Sequence, residues 1–135
     1  MKLEKNWRQK TLENLEKDFW GKPDYDSHLV TRCHELRKLP LDGFTTEDLR
    51  IMIGQQISLD HLIPLALEVL TIDLFVEGDF FEGDLLKNVL TIETDFWNKN
   101  KNYWATLDNL IKDRRSEIIA HKFDATNFDK SVNRH

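Results

Sequence analysis

The chain has 135 residues, 40% hydrophobic and 32% charged, which fits one folded domain with a real core and excludes a disordered polymer. A net charge of −5 argues against nucleic acid as the main partner, because phosphate contacts need a basic surface. The single cysteine, Cys33, excludes an internal disulfide and a cysteine-built zinc site.

Residues 1–10 read as an N-terminal extension. Their basic residues (Lys2, Lys5, Arg8, Lys10) are followed by no long apolar run, so a signal peptide is not expected. No later segment approaches the roughly 20 apolar residues of a membrane helix, and the expected location is the reducing cytoplasm. Five glycines and three prolines are too few for a turn-rich sheet and favour helices.

Residues 11–19 read as a short helix capped by Thr11, with Leu12, Leu15 and Phe19 on one face and Gly21-Lys22-Pro23 as its stop. Asp26 or Ser27 can cap the next helix, over 27–38, whose stripe is Leu29, Val30, Cys33 and Leu36. Cys33 reads as a small buried hydrophobe. His34 beside it points about 100° away on a helix, which is poor geometry for a nucleophile and its base. Arg37 and Lys38 suit the negative end of the helix dipole.

Phe44-Thr45-Thr46-Glu47-Asp48-Leu49 is a strong helix start: Thr45 can cap and Asp48 stands three residues on. Gln55 and Gln56 are expected to face solvent or bond a neighbouring turn. The fourth helix opens near Asp60 and carries Leu62, Leu65, Ala66, Val69 and Leu70 at helical spacing, with Ile63 and Leu67 widening the face; it is the most apolar helix and the expected centre of the core. Asp84 can cap a helix bearing Leu85, Leu86, Val89 and Leu90, and Thr94 can cap a further turn. A last helix is expected over 103–120, and 122–135 form a polar tail. The expectation is an all-α single domain of about six helices spanning 11–121.

One stretch stands out. Glu77-Gly78-Asp79-Phe80-Phe81-Glu82-Gly83-Asp84 repeats Glu-Gly-Asp around two aromatics, and Ile51 to Leu86 contains no Lys or Arg. A one-sign segment beside apolar residues suggests a surface that meets something positive. Glu68, Asp73, Glu77, Asp79, Phe80, Phe81 and Glu82 are the candidate partner-binding residues. The carboxylates of Glu77, Asp79, Glu82 and Asp84 leave a metal-dependent hydrolase as an alternative, although their spacing matches no familiar cation loop. A helical adaptor with a different partner is a third reading. No phosphate loop, His-Glu-x-x-His or nucleophile elbow occurs.

Several runs share a wider likeness. They are Thr11 to Gly21, Tyr25-Asp26-Ser27 leading to Cys33-His34-Glu35-Leu36-Arg37-Lys38, Pro40-Leu41, Phe44 to Gln55, Leu62 to Leu67, and Glu77 to Leu86. In this order and spacing, over about Thr11 to Trp97, the chain resembles immunity proteins of bacterial contact-dependent growth inhibition systems. The resemblance implies a cytoplasmic inhibitor that binds the C-terminal toxin domain of a delivered effector, commonly a nuclease. It also implies no catalysis and no cofactor. A basic toxin face would suit the acidic window.

Overall fold

The computed structural model describes residues 3–22 and 27–132. Pro23 of the expected helix stop, Asp26 as the alternative cap, and Tyr25 of one run that carries the resemblance lie outside the described residues. The described residues form nine α-helices and two short 3-10 turns, Trp7–Gln9 and Leu41–Gly43. Among the described residues, pairing between extended segments is limited to one isolated antiparallel bridge, Glu77 to Glu82. The all-α class is as expected; the helix number is higher because the expected last helix is divided in two and a further helix forms in the segment expected to be a polar tail.

Helix α1 is Leu12–Glu16. The Thr11 hydroxyl accepts the Asn14 amide, as expected of its cap, but the helix ends at Lys17 in the left-handed conformation, before Gly21. Helix α2 is His28–Leu36, capped by Ser27 through the Val30 amide. Arg37 follows it at the C-cap, the helix end expected for it, but its side chain is buried. It is 1% exposed. Its guanidinium donates to Glu16 (2.5 Å), the Ser58 hydroxyl (3.1 Å) and the Asp18 carbonyl (2.6 Å), and it stacks 4.5 Å from the Trp20 ring. A buried guanidinium needs such partners, since an unpaired buried charge costs several kcal/mol. Arg37 thereby ties residues 16–20 and the start of the fourth helix to the end of α2.

Helix α3 is Thr46–Gly54 and begins with the full capping box: Thr45 Oγ1 accepts the Asp48 amide and Asp48 accepts the Thr45 amide. Helix α4 is Leu59–Ile72, and Leu62, Ile63, Ala66, Leu67 and Leu70 on it are buried. Its cap residue Ser58 makes no capping bond, because its hydroxyl serves Arg37 and Glu16 instead. Gln55 and Gln56 are exposed, and Gln56 accepts the Glu93 amide at 3.2 Å.

Helix α5 is Asp84–Leu90 and α6 is Thr94–Lys99, with Glu93 rather than Thr94 at its cap position. The expected long last helix divides into α7, Lys101–Ile111, and α8, Arg115–Ala120. A final helix α9, Thr126–Lys130, follows. Phe128 on α9 is fully buried. It lies edge-on to Trp97 (5.3 Å), stacks on Trp104 (5.1 Å), and its carbonyl accepts the Trp104 indole N–H at 2.9 Å. Helices α3, α4 and α5 pack on one another, α4 continues onto α7, and α9 closes against α5 and α6. The connection from α4 to α5 carries residues 77–82 to the surface.

Candidate partner-binding site

Two glycines bend the chain between α4 and α5. Gly83 has φ 84, a left-handed conformation that residues with a Cβ resist. Its amide turns back to the Phe75 carbonyl at 3.0 Å. Gly78 lies so close to Glu47 and Asp84 that a Cβ there would stand 2.7 Å from Glu47 Oε1 and 3.1 Å from both Asp84 oxygens. The result is a short closed loop, 77–82, joined at its base by the Glu77–Glu82 bridge.

Asp84 organises this loop. Sequence reasoning gave it the cap of α5, but Gly83 holds that position and no side-chain capping bond forms. The Asp84 carboxylate is 2% exposed and faces backward into the loop. Oδ1 accepts the Gly78 amide at 2.7 Å, and Oδ2 accepts the Phe80 and Phe81 amides at 3.1 and 3.4 Å. Backbone donors thus replace the water lost on burial.

Glu47 of α3 holds the same loop from the other side. Its Oε1 accepts the Asp79 amide at 2.9 Å. Both of its oxygens take a fork from Arg50, at 2.7 and 2.6 Å. That fork, aided by the Asp79 amide and opposed by burial, holds the Glu47 carboxyl below its ordinary range and raises Arg50 in turn. The Arg50 guanidinium also stands 4.3 Å over the Phe80 ring and 3.9 Å from Asp84. One arginine therefore neutralises two buried or half-buried carboxylates and supports an aromatic from beneath.

The C-terminal segment braces the far end. His121 stacks on Phe75 at 4.7 Å and stands 3.6 Å from Glu82. Phe123 lies 6.2 Å from Phe81, and Lys87 reaches over Phe81 at 5.8 Å.

Glu77, Asp79, Phe80, Phe81 and Glu82 come together in this loop. Phe80 remains 67% exposed and Phe81 41%. Glu77 and Asp79 are exposed, and their carboxylates have no ion pair among the described residues. Asp73 ends α4 and is exposed at the start of the connection. Glu68 differs: Arg8 forks it at 2.5 and 2.6 Å and holds its carboxyl below the ordinary range, so much of its charge is neutralised within the molecule. Glu47, Arg50, His121 and Phe123 escaped sequence reasoning because they lie about 30 to 40 residues away along the chain. Only the Glu47–Arg50 spacing, a favourable helical pair, hinted at their role.

No group of three or more His, Cys, Asp or Glu among the described residues could hold a metal ion. Asp84, one of the four carboxylates in the hydrolase alternative, turns away from the other side chains toward backbone amides. No helix among the described residues is long and apolar enough to cross a membrane. Compared with known proteins, residues 14–107 match the model of one family, described as CDI immunity proteins. No curated protein and no solved structure matches the chain.

Proposed function

Since the chain belongs to the CDI immunity proteins, we propose that it binds and neutralises the C-terminal toxin domain of a contact-dependent growth inhibition effector, in the cytoplasm of the cell that produces both. The toxin on this reading is a nuclease with a basic substrate face, and the contact is made by the acidic loop 77–82. The inhibitor works by occupancy and needs no cofactor.

The observation that carries this reading is the exposed Phe80 ring on a loop whose backbone is already fixed. Asp84 and Glu47 hold four of its amides. A loop ordered before binding loses little entropy on contact, so more of the contact energy appears as affinity. An exposed aromatic backed by an arginine has the make-up of an interface hot spot. The unpaired carboxylates of Glu77 and Asp79 beside it favour approach of a positive surface and oppose approach of a negative one.

The test is inhibition of the toxin domain of the effector encoded beside this protein. Wild-type protein should abolish its activity at equimolar ratio. Phe80→Ala should raise the concentration needed about 30-fold, as for a hot spot worth about 2 kcal/mol, with an unchanged helical circular dichroism spectrum. A toxin that stays fully active with excess wild-type protein refutes the proposal.

A further inference from the structure

A groove of about 980 Å³ runs beside the loop, between α2 and α3, with Phe80 and Asp79 forming one wall. Its volume is in the range of about 300–1,000 Å³ that holds a ligand or a set of inserted side chains. Four carboxylates (Glu35, Glu47, Asp48, Asp79) and two arginines (Arg32, Arg50) line it, an excess of two negative charges. The arginines are already engaged. Arg32 pairs with Asp48 at 2.9 Å and reaches Glu35 at 3.9 Å, and Arg50 is forked by Glu47. The acceptors that remain available are Asp79, which makes no ion pair among the described residues although its charge acts on Arg50, and Glu35, whose contact with Arg32 is long and whose side chain is mostly exposed. Leu29, an exposed leucine on α2, and Ile51 supply apolar surface in the same groove.

We infer that this groove receives a projecting segment of the toxin carrying an arginine or lysine, whose cationic head pairs with Asp79 and Glu35 while its stem lies on Phe80, Leu29 and Ile51. The inference rests on the proposed toxin-binding function and deepens it: recognition extends from the loop onto α2, and the toxin contributes a protrusion as well as a charged face. A long cationic side chain suits such a site, because its methylene stem covers apolar surface while its head meets carboxylates. The excess of negative charge in the groove also repels a toxin whose matching segment is acidic, so the groove serves discrimination between toxins as well as affinity.

The experiment measures affinity for the toxin domain encoded beside this protein, with three groove variants and one loop variant. Leu29→Arg and Glu35→Lys place positive charge at exposed positions of the groove, and Gln55→Arg does so from the end of α3. Melting curves establish that each variant folds. Each groove variant that folds should raise Kd at least about tenfold. If the groove variants bind like wild type while Phe80→Ala weakens binding, the groove inference is overturned and the loop reading stands. If wild-type protein forms no complex, the reading beneath both fails. A concentration-dependent dimer of this chain alone, abolished by Leu29→Arg, would assign the groove to a second copy and also overturn the inference.

Discussion

Replacing Asp84 with asparagine alters one atom, yet it should release the loop. The wild-type carboxylate presents two acceptors: Oδ1 to Gly78 at 2.7 Å, and Oδ2 to Phe80 and Phe81 at 3.1 and 3.4 Å. Asparagine offers one oxygen and one NH2 group. With the oxygen toward Gly78, the NH2 faces two amide donors; flipped, it faces Gly78. Either rotamer removes at least one hydrogen bond to a charged acceptor, each contributing about 1.5–3 kcal/mol, and takes a negative charge from beside Arg50. A cost of roughly 2–4 kcal/mol follows, which for a chain of this size lowers Tm by roughly 6–20 °C. The assay is thermal melting together with amide exchange, in which Gly78, Phe80 and Phe81 should lose protection while the α4 core retains it up to its own opening limit. A Tm within about 2 °C of wild type, with those three amides still protected, would refute the view that Asp84 organises the loop.

The remaining expectations concern other parts of the same support. Gly83→Ala places a Cβ at φ 84, 2.9 Å from the Phe123 ring and 3.0 Å from Phe75; it should destabilise the fold by about 1–3 kcal/mol, read as a lower urea midpoint. Glu47 has a lowered pKa, so its stabilising contribution is complete above the ordinary value of 4.5 and is lost as pH falls through the lower folded value. Glu47→Gln should therefore be less stable than wild type at pH 7, with the gap narrowing as pH falls below 4.5; a gap constant down to pH 3 would contradict the Arg50 fork. Phe128→Ala should cost about 3–5 kcal/mol despite lying outside the matched family span, because the ring is fully buried between Trp97 and Trp104; melting curves check it.

Local chemistry was legible where partners are close in sequence. The Thr45–Asp48 capping box and the apolar stripe of α4 are both contained within a few turns, and the structure has both. The break between α7 and α8 was not legible for a definite reason. Ile111 and Ile118 are both buried and stand seven residues apart, a spacing that also suits one face of an unbroken helix, and no Gly or Pro marks Lys112-Asp113-Arg114. Arg37 stands at the helix end as expected, but its burial was not legible, because its partners Glu16, Asp18 and Ser58 lie about 20 residues away along the chain. In the candidate site, composition located the loop, but its support by Asp84 and Glu47 depends on which way a carboxylate faces. Asp84 has the chemistry of a helix cap and sits at the start of a helix. Only the fold turns it toward the amides behind it.

The most direct test of the central claim is the association rate with the toxin domain, measured by stopped flow across a range of salt concentrations. An acidic loop that steers a basic partner predicts rapid association that slows steeply as salt rises. Asp79→Lys with Glu82→Lys should slow association at low salt and flatten that dependence, while the circular dichroism spectrum remains helical. Association that is independent of salt, or unchanged by the double charge reversal, would contradict the account and place the contact on another face of the protein.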